Sequence, residues 1–291
     1  MSQLTAAAGA PPIVQYWHSK EVPDDVAVLI AGFRERNPDL HHRLFDAASA
    51  EEFIRERFGP RELAAFRSCA ATAVQSDYLR YCAVLALGGI YADVDARCIA
   101  PLSDLLKRDE VGGVLFGWRE LPPAFQTPEY EWRERVGPYR TIPNSLFTFR
   151  AAGHPLLRLA LDLATANIEN RVSEDAALVA GPGIFTSLYL MYELGSLEAF
   201  ESYALGGVID RLAPLMCEVV GDHARVERAF EDVQIRPMAS ASRWIGPSGP
   251  LAYKQTPAYW RNATTSIFVN RTPASSRAEP NGQGEISPDQ A

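Results

Sequence analysis

Apolar positions along the chain fall into short runs and helical stripes that alternate. Ile13–Trp17 (IVQYW) is a compact apolar run behind Pro11-Pro12 and predicts the first strand. Pro23–Arg36 reads as a helix with proline near its first turn, closed by Asn37-Pro38. Leu40–Asp46 alternates like a strand, with His41 and His42 at solvated positions, and Ala48–Phe58 is a short amphipathic helix. Arg61–Ala73 leads into the next helix. From Thr72 to Leu87 neither Pro nor Gly occurs, and Ala, Val, Leu, Tyr and Cys dominate, so this stretch reads as a buried helix, too long for a strand. Gly88 and Gly89 stop it, because glycine closes a helix in the left-handed conformation without a Cβ penalty. Ile90–Ala92 then resumes as an interior strand, and Asp93 and Asp95 follow at its end.

Downstream, Ala96–Leu106 predicts a strand, a proline turn and a helix, and Val111–Gly117 a further strand. Ile142–Arg150 is another. His154-Pro155 opens a helix to about Asn170, Glu174-Asp175 precede a helix of Ala and Leu, and Gly181-Pro182-Gly183 starts a helix over Ile184–Tyr192. Strands alternating with helices in this way predict an α/β domain with a mixed, mostly parallel central sheet flanked by helices, plus extra helices. We expect one domain over residues 13–270, a loose leader over 1–12 and a disordered tail over 271–291, where Pro, Ser, Gly, Glu and Gln take over.

Candidate chemistry concentrates around the long helix. Asp77 and Arg80 stand three residues apart on one face of an otherwise apolar helix, where charges need a partner or a polar ligand. A structural ion pair and a ligand contact both satisfy that demand. On a strand, alternate residues share a face, so the D-x-D aspartates can aim the same way. Two adjacent carboxylates repel, and a divalent cation with a taste for oxygen, Mg²⁺ or Mn²⁺, is the usual remedy.

The string S-D-x-x-R-Y followed by L-x-x-x-G-G-I-Y-x-D-x-D resembles the donor-sugar core of DXD-containing glycosyltransferases of the Och1-like type, glycosyltransferase family 32. It is also similar to the glucosyltransferase domain of the large clostridial toxins. The resemblance implies a GT-A-like fold that binds a nucleotide sugar, a UDP-sugar by preference or a GDP-sugar, together with a divalent metal, and transfers the sugar with retention. Within it, Asp95 and Asp93 take the catalytic and metal positions. Ser76, Asp77, Arg80, Tyr91 and Asn144 fall on the donor side, with Asp77 and Arg80 toward the sugar hydroxyls, and Trp17 matches the residue that stacks on the base, unless it is simply a core tryptophan. Near the C-terminus such proteins carry A-[ILV]-H-H-x-x-G-S-W, against which this chain reads AYKQTPAYW over residues 252–260. Ala252 and Trp260 keep the register, whereas Lys254 and Gln255 replace the histidines and Tyr259 the serine. The resemblance therefore leaves the third protein ligand to the metal unassigned. Lys254 offers an ammonium to the diphosphate instead.

Trp118–Tyr139 is Pro-rich, aromatic and aperiodic, and reads either as part of the acceptor pocket or lid, or as a surface insertion. The net charge of −8 argues against nucleic acid or an anionic membrane as the main partner, while a nucleotide sugar can meet its diphosphate's counter-charge in a metal. Four cysteines, at 69, 82, 98 and 217, form no C-x-x-C pair and suit a reducing compartment. Neither a signal peptide nor an apolar run approaching ~18 residues is visible, so the expected location is cytoplasmic. The reading is therefore a metal-dependent retaining hexosyltransferase acting on a glycan or other hydroxyl. Its rivals are a degenerate nucleotide-sugar binder and a Mg²⁺ phosphatase, the latter disfavoured by Arg97 two residues after the second aspartate.

Overall fold

The computed structural model describes residues 11–106, 111–120, 138–204, 213–256, 259, 262 and 265–269. The expected tail lies outside them, as do most of the leader, residues 121–137 of the aperiodic segment, and Trp260.

Six strands form the central sheet: β1 (Ile13–Tyr16), β2 (His42–Phe45), β3 (Gly89–Ala92), β5 (Gly113–Gly117), β6 (Leu146–Phe149) and β7 (Val233–Pro237), in the order β2-β1-β3-β6-β5-β7. β2, β1 and β3 are mutually parallel, as are β5 and β7, and β6 runs antiparallel between β3 and β5. This is the mixed, mostly parallel α/β architecture expected of a GT-A-like domain. A separate antiparallel ribbon joins β4 (Ala96–Cys98) to β8 (Ile245–Pro247).

The helix α4 (Thr72–Leu87) is the centre of the core, with every residue from Asp77 to Ala86 buried. It packs against β1, β3 and α5 (Pro155–Asn170). Its exit depends on two glycines. Gly88 caps it at φ +68°, and Gly89 follows at φ +99°. A Cβ on Gly89 would lie 2.2 Å from the Pro12 carbonyl oxygen, which itself accepts the Ile90 N–H at 2.9 Å. The glycine pair therefore lets β3 lie against the chain leading into β1.

Three expectations need correction. Arg61–Ala73 does not run into α4: a separate helix α3 (Pro60–Ser68) ends at Cys69, and the N–H groups of Ala70 and Ala71 donate to Ile267 O at 2.7 and 3.1 Å. A distant segment thus takes the hydrogen bonds that a continuous helix would use. Ala96–Leu106 ends in a 3₁₀ turn (Leu102–Leu105), not an α-helix. His42 is only partly solvated, since its ring nitrogens are engaged by Arg34 and Gln15.

Candidate functional site

The parallel strands β1 and β3 point their carboxyl ends at one edge of the sheet. Connections leave them in opposite directions, β1 toward β2 and β3 toward the β5 side, which makes the crevice between them a topological switch point. A cavity of about 500 Å³ opens there. Trp17, Ser76, Asp77, Arg80, Tyr91, Asp93, Asp95, Asn144 and Lys254 all line it. The sequence-predicted site residues within the described chain are thus gathered in one place. Trp118, Pro143, Pro182 and Met238 add apolar surface to the lining.

The two aspartates sit on a turn beyond β3 rather than on the strand itself. Asp93 N–H donates to Ser145 O at 2.9 Å, and Ala96 N–H returns to Asp93 O at 3.2 Å. The turn brings the carboxylates together by curvature, not by strand alternation.

Arg80 organises the floor of the cavity. Its Nη2 lies 2.7 Å from Asp77 Oδ1 and 3.3 Å from Asp93 Oδ1. Nη1 donates to Asn144 O at 2.7 Å, Nη2 also donates to Ser76 Oγ at 3.1 Å, and the guanidinium lies over the Tyr91 ring at 4.2 Å. Asn144 Nδ2 donates to Asp77 Oδ1 at 3.0 Å. The fork expected to face sugar hydroxyls is therefore spent largely on the protein, and the ion-pair reading of Asp77–Arg80 holds alongside its place in the cavity wall.

Tyr91 OH donates to Asp93 Oδ1 at 3.0 Å. Burial pushes the Asp93 carboxyl up to about 7 against the pull of Arg80, with Asp95 and Asp77 adding to the rise. Asp95 has different company. Its Oδ2 receives Lys254 Nζ at 2.6 Å and the Tyr253 hydroxyl at 2.8 Å. Trp17 is buried beside Val26, Ile30 and Val94, donates its indole N–H to Glu21 O at 3.0 Å, and meets the Tyr253 ring edge-on at 5.1 Å.

Tyr253 and Gln15 were missed by sequence reasoning. Gln15 is fully buried in β1, and its Nε2 donates to Asp93 O at 3.3 Å. His42 Nε2 lies 2.7 Å from Gln15 Oε1, and Arg34 Nε donates to His42 Nδ1 at 3.2 Å. Since Nδ1 accepts, Nε2 carries the proton, and the relay Arg34–His42–Gln15 runs from the surface to the aspartate turn. A polar residue inside IVQYW is the signal that marks Gln15.

Among the described residues, no group of three or more His, Cys, Asp or Glu side chains could hold a metal ion. The aspartate pair is nevertheless a hard-oxygen donor set. A cation such as Mg²⁺ commonly takes one or two carboxylates and completes its shell with water and substrate phosphates. The residues fit a cation shared with a bound diphosphate, not one caged by protein.

Residues 23–112 match the family model described as glycosyltransferase sugar-binding region containing DXD motif, a span that includes Asp77, Arg80 and both aspartates but not Asn144 or Lys254. Over its length the chain is similar to the initiation-specific alpha-1,6-mannosyltransferases of Candida albicans, at 23% identity over 76% of this chain and 62% of the relative, and of Schizosaccharomyces pombe, at 22% over 82% and 61%. The chain thus spans roughly three fifths of the length of these two relatives. Inositol phosphoceramide mannosyltransferase 3 of Schizosaccharomyces pombe is 28% identical over 52% of this chain and 36% of its own. Among solved structures, PaToxG glycosyltransferase superposes with a TM-score of 0.43 at 16% identity, covering 77% of this chain and 87% of that one. The likeness to Och1-like DXD glycosyltransferases expected from the sequence is upheld at low identity. No helix among the described residues is long and apolar enough to cross a membrane.

Proposed function

We propose that this chain is a metal-dependent, retaining glycosyltransferase that moves a hexose from a nucleotide sugar to a hydroxyl of a glycan or other acceptor. The observation that carries the reading is the aspartate turn itself, two carboxylates facing one cavity at the switch edge, buttressed by Arg80, Tyr91 and Gln15. A UDP-linked donor is favoured and a GDP-linked one is the other option. The mannosyltransferase names of the relatives make mannose the first sugar to try.

In the reaction, the bond between the sugar's anomeric carbon and the diphosphate breaks, the acceptor oxygen bonds to that carbon, and its proton passes to the departing phosphate oxygen. Mn²⁺ or Mg²⁺ held by Asp93 and Asp95, when bound, would act as a Lewis acid on the leaving diphosphate. Trp17 offers the base an aromatic neighbour, and Asp77 and Asn144, kept in place by Arg80, offer polar atoms to the sugar. Attack on the face vacated by the diphosphate retains configuration. Cys69, Cys82 and Cys98 are buried free thiols and Cys217 is a partly exposed one, which suits a cytoplasmic setting.

Following nucleoside diphosphate release from a panel of UDP- and GDP-hexoses, with Mn²⁺ or with chelator, tests the reading. Release should require metal and vanish in Asp95→Asn while the melting midpoint changes little, because this pair is partly exposed and contributes little to stability. Wild-type turnover in that variant removes the D-x-D assignment. The product's anomeric configuration by NMR tests retention. The second reading, a non-catalytic nucleotide-sugar binder, is favoured by Lys254 occupying Asp95, and would show donor binding without release.

A further inference from the structure

Asp93 and Asp95 each meet a protein cation, Arg80 and Lys254, and the two cations are held very differently. Arg80 is locked by five contacts on the cavity floor, its side chain 5% exposed. Lys254 reaches Asp95 at 2.6 Å with its side chain 29% exposed and the carboxylate side chain 25% exposed. Its backbone, in contrast, is fixed. The 3₁₀ turn Ala252–Gln255 is tied to α1 (Asp24–Arg36) through Ala252 N–H donating to Asp25 Oδ2 at 2.8 Å, and Asn262 Nδ2 donates to Lys254 O at 3.1 Å. A rigid anchor thus carries a four-carbon stem with a strongly hydrated charge at its end, the lysine property best suited to changing partners.

Asp77, Asp93 and Asp95 supply three carboxylates to this wall, and Arg80 and Lys254 supply two cations. A divalent cation arriving at Asp95 meets the ammonium already there, and like charges cannot share one carboxylate oxygen cheaply. The ammonium needs a new anion at the same moment. A donor diphosphate is the anion that arrives with the metal and sits beside it.

On the glycosyltransferase reading above, we propose that Lys254 is a resident counter-cation of Asp95 that transfers to the donor's diphosphate when a divalent cation takes the carboxylate, so that metal and nucleoside diphosphate enter this site as a pair. Tyr253, whose hydroxyl shares Asp95 Oδ2, keeps that oxygen oriented during the exchange. Removing the ammonium then has effects of opposite sign on the two ligands. The carboxylate is freed for metal, and the diphosphate loses a charge-assisted partner.

Calorimetry of the whole chain with Mn²⁺ alone, with UDP or GDP alone, and with each nucleotide in the presence of Mn²⁺ tests this, on the wild type, Lys254→Ala and Lys254→Met. Lys254→Met keeps the stem's apolar packing, so a folding defect in Lys254→Ala leaves the test intact. In the wild type, nucleotide should tighten Mn²⁺ binding at least about tenfold. In both variants Mn²⁺ alone should bind about tenfold tighter and the nucleotide with Mn²⁺ about tenfold weaker, the scale of one charge-assisted hydrogen bond. Unchanged Mn²⁺ affinity in the variants overturns the exchange. So does a wild type that binds nucleotide in chelator as tightly as with Mn²⁺, which would make Lys254 a permanent replacement for the metal. A wild type that binds none of these ligands under any condition overturns the donor-site reading itself, a result distinct from either.

Discussion

Arg80 shows how one side chain can tie distant segments together and line the candidate site at once. Its guanidinium joins helix α4, the Asp93 turn and the Asn144 segment before β6, three pieces far apart in sequence. A buried ion pair adds little over an apolar replacement, but breaking it by removing one partner leaves an uncompensated charge in low dielectric. Arg80→Ala strands Asp77 and weakens the hold on Asp93. It should cost about 3–5 kcal/mol of stability in urea unfolding. Arg80→Lys should recover only part of this, since a point charge cannot reproduce the fork that meets Asp77, Ser76 and Asn144 together. A loss below about 1 kcal/mol in Arg80→Ala, the range of an exposed pair, would show that the site is wetter than its burial indicates. The spacing of Asp77 and Arg80 was legible in the sequence, because i to i+3 proximity is a property of the helix alone. That the fork would also reach Asn144 and Asp93 was not, because those contacts exist only once β6 has paired with β3.

At the level of elements, the same division recurs. Thr72–Leu87, Pro155–Asn170 and the β1 and β3 strands were readable because local apolar pattern, glycine stops and an N-terminal proline specify them without help from distant chain. β7 (VQIRP) and β8 (IGP) were not, being short, part-exposed and held by register with β5 and β4. The break between α3 and α4 was invisible for the same reason, as its partner lies near residue 268. The glycine hinge permits a direct test of how strictly the element order depends on one backbone position. Gly89→Ala places a Cβ against the Pro12 carbonyl at a backbone angle that L-residues rarely adopt, and neither β3 nor the chain before β1 can give way without losing the Ile90 hydrogen bond. Gly153 also has a positive φ, at +81°, but with nothing within 4 Å of the added Cβ. Gly153→Ala should therefore cost only the conformational term, about 1–2 kcal/mol. Gly89→Ala should cost clearly more and yield little folded protein. Equal melting midpoints for the two variants would mean that the strand entry can shift to relieve the contact.

Across the whole molecule, the site is an assembly at one sheet edge: Trp17 after β1, the aspartates after β3, Asn144 before β6, and Tyr253-Lys254 laid over the edge from beyond β8. The relay Arg34–His42–Gln15 links this edge to the outer surface of the sheet, and it gives the fold a pH dependence with a definite sign. His42 accepts from Arg34 at Nδ1 and donates through Nε2 to Gln15, so the folded ring is neutral. Burial, then the charges of Arg34 and His41, push its pKa down to about 4, against roughly 6.5 in the unfolded chain. Below about pH 6.5 the unfolded state takes up a proton that the folded state refuses, and stability from this group is lost as pH falls toward 4. At pH 4.5 the loss should be about 2 kcal/mol relative to pH 7, from this group alone. Asp93, whose carboxyl is pushed up to about 7, works in the opposite sense, favouring the fold at low pH and losing that contribution as pH rises. A comparison within one protein would mix the two, so the test is a difference. His42→Gln keeps one donor and one acceptor but does not titrate. Urea unfolding of both proteins at pH 7 and pH 4.5 should show the wild type losing about 2 kcal/mol more than the variant between the two pH values. Parallel losses would mean that His42 is protonated in the native state, and that Gln15 and the aspartate turn are not held through a neutral ring.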